Sequence, residues 1–366
     1  MELLKALLWD GRAFPEGFHL EDVEKPLPKR NWVCIETKLC GICGSDIGVI
    51  SGKMPLLADF LVKPTILGHE AVGVISEVGK DVVDFEVGDR VVCEGLGGCA
   101  ELGVAPCKMC QIGRYNLCLN IAKAGSGVGA SQANGGGFAE YFLAHKSKIY
   151  KVPDSVTNEE AVLIEPLSVA VHSCYIGNPS GKRVAIIGAG AIGLQLLQVC
   201  KVMGASEIFV ISKYDFQARL AERLGADRVY CLERNQVPVL EIALETGVGV
   251  DQCYEAVGSE QTLQDAIAVT RQGGDIIFVG VMGQAKIDFV MFSAKELKLH
   301  GTWYYANEPQ VARTSTDVAL ELLRRGKVNN RPLLTKTYRL EEWREAFEAQ
   351  INKKKYESTK IAFRYD

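Results

Sequence analysis

The sequence predicts an α/β protein of two domains, a small antiparallel β-barrel and a doubly wound parallel sheet. Three observations carry this. Up to about residue 165 the chain is written in short β-branched runs bounded by Gly, Asp and Lys, with no long helical periodicity. From Arg183 onward, buried strands and helices alternate. The last stretch, after residue 301, is too small for a core of its own and is expected to return to the first domain. The expected boundaries are therefore 1–165 with 302–366 for the barrel domain, and 166–301 for the parallel-sheet domain.

In the first part, NWVCIETKLCG (31–41), AVGVISEVG (71–79) and DRVVCEG (89–95) read as strands. RVAIIG (183–188) opens the second part as a buried strand. AIGLQLLQVCKVMGA (191–205) follows with helical spacing and stops at a glycine. The strand EIFVIS (207–212), the helix ARLAERLGA (218–226) and the strand VYCL come next. They are followed by the helical VLEIALETG, the strand QCYEAVG, the helical TLQDAIAVTRQGG and the strand DIIFVGV. Alternation of this kind gives parallel strands joined by right-handed crossovers. LKLHGTW (297–303), the helical DVALELLRRGKV and a final strand KIAFRYD complete the chain.

Bulk composition removes several function classes. With 366 residues the chain has room for two cores. Hydrophobic residues make up 48% and charged residues 23%, which is the balance of a soluble globular protein. The net charge is −4, and no Lys/Arg-rich block lies beside aromatic residues, so nucleic acid is not expected as a partner. No run of about 18 apolar residues predicts a membrane span. The opening MELLKALLWDGR is broken by Lys5 and Asp10 and does not read as an export signal. A cytoplasmic location with reduced thiols is therefore expected. Eight of the twelve cysteines fall between Cys34 and Cys118, and clustered reduced thiols suggest metal ligands.

Gly188-Ala189-Gly190-Ala191-Ile192-Gly193 is a G-x-G-x-x-G placed between a strand and a helix, the context that makes it a dinucleotide site. Gly188 permits the turn, Gly190 lets a pyrophosphate reach the backbone, and Gly193 lets helix and strand close together. Ala191 and Ile192 open the helix whose free N–H groups face the phosphates. NAD-binding chains carry a carboxylate at the end of the second strand for the ribose 2′-hydroxyl. Here that place holds Ser212, followed by Lys213 and Tyr214. A hydroxyl and a cation suit a 2′-phosphate, so NADP(H) is expected over NAD(H). Asp215 stands nearby, and if the loop turned it toward the ribose the preference would reverse.

Cys43 in GICGSD, His69 and Glu70 in ILGHEAVG, and Glu165 in LIEPLSV offer the thiolate, imidazole and carboxylate donors that zinc accepts. Asp46 is spaced to orient the His69 ring. GICGSD, GHEAVGVISEVG, GGGFAEY (135–141), EPLSVAVH (165–172) and GAGAIG occur in one order along essentially the whole chain. In this the sequence resembles the zinc-containing medium-chain alcohol and polyol dehydrogenases. It is most similar to the sorbitol branch, because Glu165 stands where other branches have a cysteine.

The resemblance implies a GroES-like barrel as catalytic domain and a Rossmann nucleotide domain. It implies a catalytic zinc on Cys43, His69 and Glu165, with Glu70 as a transient ligand or a neighbour of the ligands. It also implies Ser45 as first proton acceptor, a site in the cleft between the domains, and a homodimer or homotetramer. The family's second, structural zinc uses Cys-x2-Cys-x2-Cys-x7-Cys. Here Cys107, Cys110 and Cys118 keep three positions, Val104 occupies the first, and Cys99 or, less well placed, Cys93 is available as the fourth. Relatives often end a proton relay in a histidine where this chain has Gly48. Polyol-active relatives often carry Arg-Tyr where this chain has Tyr304-Tyr305, so sugar specificity is in question. The activity implied is hydride transfer between a nicotinamide cofactor and a secondary alcohol, polyol or sugar. An aldose 1-dehydrogenase, a zinc-free reductase of the same superfamily and a non-catalytic nucleotide binder are the competing readings. An intact ligand set argues against the last two.

Overall fold

A computed structural model describes residues 2–121, 127–129 and 135–365. Its contacts divide the chain into two compact units, Met1–Glu165 with Leu334–Asp366, and Pro166–Leu333.

The first unit is β-rich. Leu3–Trp9 pairs antiparallel with Phe18–Glu24 on one side and with Thr65–Ile66 on the other. A second, seven-stranded sheet runs Leu334–Arg339, Lys360–Arg364, Trp32–Gly41, Glu70–Val78, Arg90–Cys93, Ile149–Lys151, with Tyr141–His145 also against Trp32–Gly41. Its pairs are antiparallel except Leu334–Arg339 with Lys360–Arg364. Inward residues such as Val33, Ile35, Ile75, Val91, Phe142 and Phe363 are at most 1% exposed. Each such side chain contributes about 1.5–3 kcal/mol on leaving water. The helix Trp343–Ile351 buries Phe347 against Phe138 and Phe363, with ring centroids 5.8 and 6.0 Å apart. One register fixes the site: Gly41 faces Glu70 in one neighbouring strand and Ala362 in the other. Lys360, two residues before Ala362, therefore lies on the same face as Ala362.

In the second unit six parallel strands lie in the order Arg228–Cys231, Glu207–Ser212, Arg183–Ile187, Val250–Glu255, Thr270–Phe278, Lys298–Gly301. Numbered along the chain this is 3-2-1-4-5-6, the doubly wound order, and its direction reverses beside Arg183–Ile187. The helix of TLQDAIAVTRQGG stops at Val269, and the strand begins at Thr270 rather than after Gly274. The return to the first unit comes at Leu334, later than the expected 302. Residues 302–333 are bound into the second unit by polar contacts. His172 meets Glu308 at 2.8 Å, and Ser173 donates to Thr302 at 3.2 Å. Buried Gln195 donates to Asn330 at 3.1 Å. No helix among the described residues is long and apolar enough to cross a membrane.

Candidate active site

Cys43 caps the helix Gly44–Ile50, and Asp46, its third residue, takes a hydrogen bond from the Cys43 backbone N–H at 2.9 Å. This capping contact holds the Asp46 carboxylate inside, 3% exposed, where its other oxygen stands 3.6 Å from Nδ1 of His69. The opposite ring nitrogen, Nε2, lies 3.4 Å from Oγ of Ser45. His69 follows Gly68, whose φ of +96° needs a residue without Cβ. Gly95 packs on the other side, so close that a Cβ there would be 2.6 Å from that of His69. The donor atoms of Cys43, His69 and Glu70 lie within 4.8 Å of one another. Glu165, the last residue of the first unit, is 6% exposed and acts electrostatically on His69. Burial resists a proton on His69, yet Asp46, Cys43 and Glu165 raise its pKa well above the usual value. Burial also raises the pKa of Asp46. The Cys43 sulfur, a His69 ring nitrogen and the Glu70 carboxylate fit zinc by donor chemistry, while Glu165, expected as a ligand, is not among the donors that converge.

Glu70 has a partner that the sequence does not announce. Both of its carboxylate oxygens accept from Nζ of Lys360 at 2.6 Å, with the two side chains 1% and 5% exposed. One oxygen rests against Gly41, where an added Cβ would come within 2.3 Å. Half-buried Lys353 is close enough to feel Lys360, Cys43 and Glu70, and burial lowers its pKa. For Lys360 burial opposes the proton, but Glu70 and Cys43 outweigh it and raise the pKa. Nothing in KIAFR distinguishes a buried lysine from an ordinary strand-edge one, and its partner is 290 residues away. Gly48 is likewise filled from elsewhere: Met54 would lie 2.5 Å from any Cβ placed there, so the space that a relay side chain needs holds a thioether.

The second cysteine group also comes together. Cys99, Cys107, Cys110 and Cys118 have their sulfurs within 4.8 Å of one another, with 3.5 Å from Cys99 to Cys118 and 3.9 Å from Cys107 to Cys118. Four thiolates at a Zn–S length of about 2.3 Å in a tetrahedron stand about 3.8 Å apart, so the spacing fits zinc. Backbone N–H groups of Cys107, Leu119 and Asn120 and the Asn120 side-chain amide donate to these sulfurs at 3.2–3.4 Å. The Cys110 and Leu119 N–H groups bring the Cys107 thiol down to about 6. Cys93 points elsewhere, toward the carbonyl oxygen of Ala71 at 3.9 Å. Val104 is 43% exposed.

In the other unit, Gly188 has φ +102°, and Gly190 caps the helix Ala191–Val202 with open space where a Cβ would be. At Gly193 a Cβ would sit 1.7 Å from the Gly188 carbonyl oxygen, so only glycine closes this turn. Ala191 and Ile192 are half-buried in the first turn. Ser212 ends the strand 1% exposed, its hydroxyl donating to the Tyr214 carbonyl at 3.2 Å. Lys213 is exposed, its ammonium 5.4 Å from the centre of the Tyr214 ring. The Asp215 carboxylate pairs with Arg219 and with Arg234, the latter at 2.7 Å. Trp303, Tyr304 and Tyr305 form an edge-to-face run with centroids 4.9 and 5.7 Å apart, Tyr304 at φ +54°.

Residues 29–154 match the family model of the alcohol dehydrogenase GroES-like domain, and residues 191–322 that of zinc-binding dehydrogenases. Human sorbitol dehydrogenase is 32% identical over 91% of this chain and 90% of its own length. Bacillus subtilis sorbitol dehydrogenase is 34% identical over 89% of each. The crystal structure of 2R,3R-butanediol dehydrogenase from Bacillus subtilis superposes with a TM-score of 0.82 at 29% identity, covering 99% of this chain and 100% of that one.

Proposed function

Since the chain belongs to the zinc-containing medium-chain alcohol and polyol dehydrogenases, we propose that it oxidises a secondary alcohol, polyol or sugar at Cys43, His69 and Glu165, using NADP(H) in preference to NAD(H). The observation that carries the site is the convergence of the Cys43 sulfur, the His69 imidazole and the Glu70 carboxylate within 4.8 Å, with Ser45 against the same imidazole; Glu165 is not one of these converging donors and acts on His69 electrostatically. When bound, zinc supplies Lewis-acid polarisation of the substrate oxygen and the nicotinamide ring supplies the hydride acceptor.

The chain's own residues do the rest. Asp46 fixes the tautomer and tilt of His69, leaving Nε2 for the metal. Oγ of Ser45 takes the alcohol proton. With Met54 against Gly48, that proton leaves by solvent and not by a side chain at 48. Gly188, Gly190 and Gly193 open the backbone to the pyrophosphate, and Ala191 and Ile192 set the helix N–H groups toward it. The NADP preference is supported by the absence of a carboxylate at Ser212, the exposed cation of Lys213 and the engagement of Asp215 by two arginines. Cys99, Cys107, Cys110 and Cys118 hold a second, structural zinc in this reading. A homo-oligomer is part of it too, supported by the edge strand Lys298–Gly301, which among the described residues pairs on one side only and leaves Leu299 43% exposed. Sedimentation velocity tests that state.

The deciding experiment is metal analysis joined to a screen of alcohols, polyols and aldoses with both cofactors. Two zincs per chain and NADP-linked oxidation of a secondary hydroxyl are expected. Turnover confined to enone or quinone reduction, unaffected by chelator, would overturn the reading.

A further inference from the structure

We propose that Glu94 and Tyr115 form a positioning link that fastens the four-cysteine lobe to the backbone behind His69, so that the lobe sets how firmly the catalytic metal is held. The inference rests on the zinc reading above and leaves its donor atoms as they are. It begins with Gly95. The antiparallel register that sets Val72 against Val92, carried to the strand ends, brings Gly95 across from His69. There an added Cβ would lie 2.6 Å from the His69 Cβ. On the far side Gly127 packs so closely that its own added Cβ would come 2.3 Å from the Gly95 carbonyl oxygen. Backbone held between two such contacts cannot shift without moving the imidazole.

Glu94, the residue before, fixes that backbone. It is 1% exposed, and its N–H donates to the Lys148 carbonyl at 2.8 Å. One carboxylate oxygen accepts from the Tyr115 and Tyr150 hydroxyls, each at 2.9 Å, and the other from the Lys148 ammonium at 3.4 Å. Lys148 and Tyr150 belong to the barrel, but Tyr115 belongs to the lobe, between Cys110 and Cys118. The lobe therefore meets this stretch twice: along the chain, since Cys99 follows Gly95 by four residues, and through the Tyr115 hydroxyl. Burial, and then the Glu94 charge, raise the Tyr115 pKa, so the hydroxyl stays a donor. The Lys148 ammonium, 3.6 Å from the centre of the Tyr115 ring, holds that ring in place. Hydrogen bonds to a buried carboxylate are short and strong, and a satisfied buried network is rigid. A lobe closed by its metal presents Tyr115 at one fixed point, and an open lobe does not.

The test uses the full-length zinc protein well below its melting temperature, in a double-variant cycle. Tyr115→Phe removes one hydroxyl, keeps the ring beside Lys148 and touches no metal ligand. A misplacement of about 1 Å costs about a hundredfold in rate, so a partly loosened His69 should lower kcat at least about fivefold. The zinc-loss phase that is absent from Cys43→Ser should speed up by a like factor, while NADP affinity stays within about twofold of wild type. Cys110→Ser, which opens the lobe, should act in the same direction. Because both changes cut one link, Tyr115→Phe/Cys110→Ser should be worse than the poorer single variant by no more than about twofold. Losses that multiply in the double variant would overturn the proposal. A Tyr115→Phe protein whose melting temperature falls while kcat and zinc loss keep their wild-type values would do the same. If Cys110→Ser does not fold, those readings of Tyr115→Phe decide. A wild-type protein holding one zinc per chain would instead overturn the lobe-metal reading on which the inference stands, a result that zinc counting separates from the others.

Discussion

Replacing Ser212 by Asp tests the cofactor assignment and has a cost that the structure allows to be worked out. The Ser212 side chain is 1% exposed and its hydroxyl donates to the Tyr214 carbonyl at 3.2 Å. Aspartate has no proton to donate, so two acceptors would face each other, and one is buried. A buried acceptor left without a partner costs about 1–3 kcal/mol. At about 2–4 °C per kcal/mol, the free protein should melt about 2–12 °C lower. The carboxylate escapes this contact by turning toward the ribose, where a 2′-hydroxyl can donate to it but a 2′-phosphate repels it. Each charge-assisted bond lost with the phosphate is worth about 1.5–3 kcal/mol, or about tenfold to a hundredfold in NADP affinity. The variant should therefore prefer NAD, and saturating NAD should recover part of the melting temperature while NADP does not. Steady-state kinetics with both cofactors on one substrate, and thermal melts with each, read both effects. A wild-type kcat/KM higher with NAD than with NADP would refute the reasoning. So would a Ser212→Asp enzyme whose cofactor ratio moves by less than about twofold.

Three other outcomes are expected. Cys43→Ser or His69→Ala should lose one zinc per chain and all turnover while nucleotide still binds, as read by metal analysis and cofactor fluorescence; wild-type activity in His69→Ala would end the zinc mechanism. Cys110→Ser should lose the other zinc and leave residues 99–119, whose Ile112, Leu117 and Leu119 are exposed, open to trypsin at Lys108 and Arg114; a lobe as resistant as wild type would contradict this. His145 is held down to about 4, chiefly by burial and then by Lys146 and Lys148, and its Nδ1 accepts from the Ser147 N–H at 3.2 Å. Its folded pKa lies below the unfolded value of about 6.5, so its contribution is complete above pH 6.5 and is lost as pH falls toward 4, up to about 3 kcal/mol. His145→Gln should flatten that part of the melting curve against pH, and an unchanged slope between pH 6.5 and 4 would show that the histidine does not titrate there.

How much of this was legible in the sequence depended on whether a residue's job is local. Buried parallel strands are continuous apolar runs, so EIFVIS and DIIFVG announced themselves, and the glycines at 188, 190 and 193 were readable because a strand-to-helix turn confines their role to six residues. Leu3–Trp9 went unread as a strand because LLKALLW is too apolar to show alternation. Glu165 was read chiefly as a donor, with a helix start as the alternative, and it stands in the first turn of the helix Ile164–Gly177. Cys99 was visible as a thiol in reach, but its meeting with Cys118 depends on how the lobe closes. Lys360, Gly41 and Met54 were invisible because each matters through a partner supplied by strand register or packing. The late return at Leu334 was hidden for a similar reason, since Glu308 and Asn330 look like loop residues until His172 and Gln195 meet them.

The order of the two units along the chain has a consequence for synthesis. Pro166–Leu333 is one uninterrupted stretch, whereas the first unit is built from both sides of it. As the ribosome proceeds from the N-terminus, the parallel-sheet unit is complete while Trp32–Gly41 still waits for Lys360–Arg364 along part of one edge. Until then the buried Glu70 carboxylate lacks the Lys360 ammonium that contacts both of its oxygens in the finished fold.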